Sequence, residues 1–181
     1  MTIEVLAAAK LNLALEITGR RPDGYHELVS VTQSIDLCDR VRVSEAPVLE
    51  LSVEGDEMRG VPREGPRNLA FAAAQALAEA AGEAEPGAHI ELEKRIPAGA
   101  GLGGGSTDAA AVLRALNQFW RLGLTNEQLC EVGARIGSDV PACIVGGAAL
   151  VAGLIIGGDA GALLAVGGAV VGLYGLYQFV R

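Results

Sequence analysis

Aromatic side chains are scarce in this chain. Only 4% of its 181 residues are Phe, Trp or Tyr, although half are hydrophobic. A core must therefore be assembled from Ala, Val, Leu and Ile. A basic surplus is also missing. The formal net charge is -8, which argues against a nucleic-acid binder, because contacts to the phosphate backbone need an excess of Lys and Arg. A nucleotide site needs only local donors and stays open. The three cysteines, Cys38, Cys130 and Cys143, lie far apart in no paired motif. That argues against a disulfide framework or a zinc site and for thiols in a reducing, cytoplasmic compartment. Glu4 and Lys10 stand inside an alternating N-terminal pattern that is not a secretory signal. After Ser138 there is no Ser, Thr or Lys, and between Ala142 and Val180 the only charge is Asp159.

What is present reads first as sheet. Leu11, Leu13, Leu15 and Ile17 alternate with Asn12, Ala14, Glu16 and Thr18, the period of a strand with one buried face. Arg21-Pro-Asp-Gly24 is turn chemistry. Val29, Val31, Ile35 and Leu37 resume the alternation, and Val41 to Val43 and Leu49 to Val53 read as further strands. Asn68 to Ala81 then carries an apolar stripe at helical spacing, with Gly82 as its stop. His89 to Lys94 alternates as a strand. Ser106 reads as the N-cap of a helix reaching about Arg121, and Thr125 to Gln128 as the capping box of another through Ile136. Gly137 to Pro141 reads as a loop, followed by an apolar strand from Cys143 to Leu150. Strands, helix, strand, helices, strand is an α+β order in two layers.

The segment Pro97-Ala-Gly-Ala-Gly-Leu-Gly-Gly-Gly-Ser-Thr-Asp108 is the most informative. It lies between a strand and a helix start, where unpaired N–H groups and a partial positive charge attract anions. Glycines let such a backbone approach a phosphate and turn several amides inward. Ser106 and Thr107 add hydroxyls for phosphate oxygens or a bound Mg²⁺. A P-loop is excluded because no lysine follows the glycines. A dinucleotide fingerprint fits poorly, because no early βαβ unit precedes it. A flexible turn is the bland alternative.

This segment resembles the phosphate loop of the GHMP kinases, the superfamily of galactokinase, homoserine kinase and mevalonate kinase. Ala9-Lys-Leu-Asn-Leu13, Gly19-Arg-Arg-Pro-Asp-Gly-Tyr-His-Glu-Leu28 and Gly137-Ser-Asp-Val-Pro141 resemble, in order, motifs of those members that phosphorylate a diphosphocytidyl sugar alcohol in non-mevalonate isoprenoid synthesis. The likeness runs from about Val5 to Leu150. It implies the two-layer GHMP-kinase N-terminal domain, of the type of ribosomal protein S5 domain 2, over residues 1–150. It also implies ATP and Mg²⁺ as cofactors, and transfer of the γ-phosphoryl group to an alcohol.

The resemblance implies roles residue by residue. Asp139 is the base that takes the hydroxyl proton; without the resemblance it reads as a turn aspartate before Pro141. Lys10 is its electrostatic partner, against the plain reading of a lysine reaching solvent. Asn12 shares the strand face of Lys10 and, with Tyr25 and His26, belongs to the substrate side; each alone reads as ordinary strand or turn polarity. Thr32 stands where related enzymes often place an aromatic, which weakens the expected cytosine preference. Pro97, Ala98, Gly99, Ala100, Gly101, Leu102, Gly103, Gly104, Gly105, Ser106 and Thr107 form the phosphate cradle, with Ser106 toward the metal. Asn68 and Lys94 match positions near the nucleotide; a helix cap and a solvated strand lysine describe them equally well.

The resemblance also implies a second domain carrying a further glycine motif with Ser or Thr. Residues 151–181 offer neither that length nor those residues. Ala160 to Val180 is an uncharged apolar run of bilayer-spanning length, with Gly153, Gly157 and Gly161 at the spacing of close membrane-helix packing. A membrane helix, a truncation or artificial junction, and a tail folded over the sheet all fit. The alternative function is accordingly a nucleotide-binding fragment without turnover, membrane-associated through this tail.

Overall fold

A computed structural model describes residues 1–20, 26–82 and 87–146. Four strands form one mixed sheet in the order β1-β2-β4-β3, where β1 is Ile3–Arg20, β2 His26–Ser44, β3 Leu49–Gly55 and β4 Ala88–Lys94. β1, β2 and β4 pair antiparallel, whereas β3 and β4 run parallel and are joined through helix α1, Leu69–Ala81. Helices α2, Gly104–Phe119, and α3, Asn126–Ala134, follow. The sheet buries one face under the helices. Val41, Val43, Ile90 and Leu92 meet Ala73, Leu77, Val112, Leu113 and Leu116 in a single core. Each large aliphatic chain buried there contributes about 1.5–3 kcal/mol. The shortage of aromatics is met by alanines: Ala70, Ala73, Ala74, Ala109 and Ala111 let α1 and α2 lie close to each other and to the sheet. The α+β two-layer expectation holds.

Local chemistry explains most boundaries. Asn68 caps α1 by accepting the Ala70 N–H at 2.9 Å, and Gly82 ends it in the left-handed region at φ 72°. Thr125 and Gln128 form the expected capping box of α3.

Three expectations need correction. Helix α2 begins two residues before Ser106, with Gly103 at its N-cap and no side-chain cap. A left-handed glycine turns the chain there, so no hydroxyl is needed. Residues 140–146 are helical rather than a strand. Pro141 in a first turn loses nothing, since those amides lack helical acceptors, and the Cys143 N–H already bonds the Asp139 carbonyl at 3.1 Å.

The third correction concerns the outer half of β1. Leu11, Leu13, Leu15 and Ile17 are 39–64% exposed. Beyond Lys10 the β1–β2 pair has no third strand, since β4 meets β2 only over Arg40 to Ser44. A two-stranded ribbon with no helix over it leaves both faces open among the described residues. The turn at 21–24, the tail at 151–181 and the C-terminal part of the expected 143–150 strand lie outside the described residues. Among the described residues no helix is long and apolar enough to cross a membrane.

Candidate functional site

The glycine loop is the floor of a cleft of about 530 Å³, within the size range of small-molecule sites. Gly99, Gly101 and Gly103 alternate through the left-handed region at φ 75°, 77° and 70°. This winds the loop so that Pro97 through Ser106 all line the cleft. At its end the first i to i−4 bond of α2 is Thr107 N–H to the Gly103 carbonyl, 2.9 Å. The amides of Gly104, Gly105 and Ser106 therefore precede the helical ladder and have no acceptor in it. A Cβ at Gly99 or Gly101 would meet no atom within 4 Å, so the space above the loop is open and fits a bound polyphosphate. Thr107 lies behind this surface. It is buried, and its hydroxyl donates to the Gly104 carbonyl at 2.9 Å, so it does not line the cleft.

β1 supplies the second wall. The Lys10 N–H donates to the Leu102 carbonyl at 2.9 Å, fixing strand to loop. The lysine stem lies against Gly103, where a Cβ would come within 2.8 Å of both Cγ and Cε. Lys10 Nζ reaches Asn12 Oδ1 at 3.2 Å and Asp139 Oδ2 at 2.9 Å. The same Asn12 oxygen accepts from Ser30 Oγ and Thr32 Oγ1 at 3.2 and 3.3 Å. This network confirms that Lys10 and Asn12 share a strand face, and Thr32 belongs to it through its hydroxyl.

Asp139 comes from the segment that follows α3. The Val140 side chain sits on Gly133 of α3, where a Cβ would be 2.8 Å from Val140 Cγ1. That close approach sets the start of the 140–146 helix, and with it Asp139, opposite Lys10. The Lys10 side chain is largely buried, while that of Asp139 is 47% exposed, so the carboxylate faces the opening of the cleft.

Asn68 and Lys94 also line the cleft, but their polar groups are engaged. The Asn68 amide caps α1 and donates to the Pro62 carbonyl at 2.7 Å. Lys94 Nζ is held between the carboxylates of Asp39 and Asp108, the latter at 2.7 Å. Burial opposes its charge, and the two acids outweigh that, so its pKa is raised. Burial pushes the Asp108 carboxyl up to about 8, with Lys94 opposing and Asp39 reinforcing the shift. Burial likewise raises the Cys143 thiol to about 12, which leaves it a proton-holding packing group near Asp139. Tyr25 lies outside the described residues. The backbone of His26 begins β2 opposite Arg20.

Sequence reasoning missed Asp39 and Asp108. A signal was available: Asp39 is in phase with the inward-facing Val41 and Val43, and Lys94 with Ile90 and Leu92. Charges at core positions of adjacent strands are candidates for mutual pairing. Among the described residues, no group of three or more His, Cys, Asp or Glu could hold a metal.

Comparison with known proteins bears on the fold and the family. Residues 68–147 match the family described as the GHMP kinases N terminal domain. The chain is 48% identical over 153 residues to a protein of Exiguobacterium sibiricum named 4-diphosphocytidyl-2-C-methyl-D-erythritol kinase, covering 84% of this chain and 52% of that protein. It is 51% identical over 152 residues to one of the same name from Gloeobacter violaceus, covering 84% and 49%. The chain thus spans about half the length of the curated relatives it matches. A crystal structure titled 4-(cytidine 5'-diphospho)-2C-methyl-D-erythritol kinase superposes with a TM-score of 0.62 at 41% identity, over 80% of this chain and 49% of that one. The homoserine kinase of Cytophaga hutchinsonii, at 21% identity and a TM-score of 0.57 over 78% of this chain and 42% of that one, shares the fold.

Proposed function

We propose that this chain, whose residues 68–147 are a GHMP-kinase N-terminal domain, binds ATP in the glycine-loop cleft and carries the reacting groups of a small-molecule kinase. The substrate proposed is 4-diphosphocytidyl-2-C-methyl-D-erythritol, phosphorylated at its 2-hydroxyl in non-mevalonate isoprenoid synthesis, in the cytoplasm. The observation that carries this reading is the Lys10–Asp139 contact of 2.9 Å at the edge of a cleft floored by the glycine loop.

Phosphoryl transfer needs positioning and charge neutralisation more than covalent help. The amides of Gly104, Gly105 and Ser106 receive phosphate oxygens, and the open backbone from Gly99 to Gly101 gives them room. Asp139 accepts the proton of the attacking hydroxyl. Lys10 orients that carboxylate and neutralises charge on the hydroxyl oxygen as it attacks. Asn12, held by Ser30 and Thr32, lines the same face and orients the alcohol; Tyr25 and His26 are proposed for the diphosphocytidyl group. The Ser106 hydroxyl would help hold a magnesium ion carried with the phosphates, and the ion would supply further charge neutralisation. Thr107 acts behind the cradle, Lys94 lines the cleft with its ammonium engaged by Asp39 and Asp108, and Asn68 shapes the nucleotide side of the cleft as the cap of α1.

A second reading is a nucleotide-binding unit without turnover. It is favoured by the exposed Leu13, Leu15 and Ile17 of β1, which leave the substrate end of Asn12 without a further wall among the described residues. In this division residues 1–150 are the ATP-binding domain and 151–181 an appended apolar segment. Two measurements on the full chain separate the readings: ATP binding by calorimetry, and a coupled kinase assay with Asp139→Asn as control. Binding and turnover that the substitution abolishes support the kinase. Binding alone supports the second reading. Turnover undiminished in Asp139→Asn removes the base, and absence of ATP binding removes both.

A further inference from the structure

We propose that Asp39, Lys94 and Asp108 form a buried clasp that pins both ends of the glycine loop, with Asp108 a positioning residue and Lys94 its bridge. The clasp is a property of the free chain. Only its consequence for nucleotide affinity rests on the reading of residues 97–106 as a phosphate cradle.

The loop leaves the sheet immediately after Ile96 and re-enters regular structure at Gly104. Asp39 Oδ1 accepts the N–H of Arg95 and, at 2.8 Å, that of Ile96, which fixes the departing end. Asp39 Oδ2 bonds Lys94 Nζ, and the same ammonium donates to Asp108 Oδ2 at 2.7 Å in the first turns of α2. The returning end is thereby tied to the same β2 carboxylate through a single lysine. Contact reinforces the tie. A Cβ on Gly104 would lie 3.0 Å from Ile96 Cγ2 and 3.4 Å from Lys94 Nζ, so the start of α2 rests directly on the clasp.

All three side chains are nearly inaccessible, at 4% exposure or less. Two acids and one base taken out of water are expensive, and apolar residues of similar volume would usually serve stability as well or better. What apolar packing cannot do is hold two backbone segments at a fixed separation with directed bonds. A lysine ammonium, with three donors and no acceptor, can bridge two carboxylates. Asp108 Oδ1 has no partner among the described residues, so the bond from Lys94 to Oδ2 is the charge-paired tie on this carboxyl group. The amides of Gly104 to Ser106 keep their place only while that hold lasts.

Hydrogen exchange on the full, nucleotide-free chain tests this, comparing parent, Asp108→Ala and Asp108→Asn. Asparagine keeps an oxygen for Lys94; alanine does not. The clasp requires the two bonded amides that report on the loop, Thr107 N–H on the Gly103 carbonyl and Lys10 N–H on the Leu102 carbonyl, to exchange about tenfold faster in Asp108→Ala. Those of β4 and the middle of α2 should stay within about twofold, and Asp108→Asn should restore the loop. Unchanged loop exchange in Asp108→Ala would overturn the proposal. So would loop and core loosening together, or an Asp108→Ala chain that does not fold, since either makes the cluster a general stability element. ATP added to the parent reads the other question separately: no protection of residues 99–106 removes the phosphate-cradle reading and leaves the clasp decided by the first comparison.

Discussion

Replacing Gly103 by alanine is expected to disarm the cleft, whereas the same change at Gly101 leaves it working. Both glycines are left-handed, at φ 70° and 77°, so each substitution carries the ~1–2 kcal/mol cost of a side chain in that region. For a domain of this size that lowers Tm by about 2–8 °C. Their surroundings differ. At Gly101 a Cβ meets nothing within 4 Å, whereas at Gly103 it comes within 2.8 Å of Lys10 Cγ and Cε. Cγ lies near the root of the lysine, so a rotation of the tip cannot relieve the overlap. Either the stem is re-routed, breaking the 2.9 Å contact with Asp139, or the loop is pushed off β1 and the Lys10 N–H to Leu102 bond is lost. Overpacking of this kind adds ~1–3 kcal/mol. Turnover in a coupled assay should therefore fall at least about tenfold further in Gly103→Ala than in Gly101→Ala. Adding Lys10→Ala should remove most of the extra Tm loss in a double-mutant cycle. Equal effects at the two glycines, or a Tm difference that survives truncation of Lys10, would refute the steric coupling of loop and lysine.

Other expectations follow from the same geometry. Gly133→Ala drives a methyl into Val140 Cγ1 and Ile144 Cδ1 at 2.8 and 3.1 Å. It should move Asp139 from Lys10 and lower turnover while calorimetric ATP affinity holds within about twofold, despite the ~1 kcal/mol that helix propensity returns. Asp108 binds its proton more tightly folded than unfolded, its pKa standing at about 8 against an ordinary 3.8. The folded chain then holds the extra proton between those values, so stability in urea titrations should fall as pH rises across that window, and Asp108→Asn should flatten the slope. Thr125→Ala removes the capping box of α3 and should cost ~1 kcal/mol in urea unfolding, without changing ATP affinity measured by calorimetry.

Elements whose ends are marked by local chemistry were legible in the sequence: Asn68 and Gly82 around α1, Thr125 and Gln128 at the start of α3, and the alternation of β4. The remaining elements depended on tertiary context. Alternation in β1 was read with one phase throughout, but the strand slips register between Asn12 and Ala14. Leu15 therefore pairs with Ser30, on the face of Asn12, and no second layer covers either side of the ribbon. An unbroken apolar run such as Ala142 to Val145 has no period to distinguish strand from helix. Asp139 two residues before Pro141 is itself a helix-start signature, a signal distinct from both the turn and the base readings. The cradle was legible because glycine spacing is its mechanism. Its support was not, because Asp39, Lys94 and Asp108 are brought together only by strand register and the crossing of α2.

That difference bears on how the candidate chemistry is held. The groups that would bind phosphate are backbone amides, whose φ angles the sequence writes as glycines and whose loop is anchored by the clasp on β2 and β4. The groups that would move a proton, Lys10 and Asp139, approach each other from β1 and from the 140–146 helix across the whole domain. Their 2.9 Å separation depends on two missing side chains, at Gly103 beneath Lys10 and at Gly133 beneath Val140. Binding should therefore tolerate changes in the helical layer that turnover does not. A substitution series in α3 that weakened ATP affinity and turnover in parallel would contradict this separation.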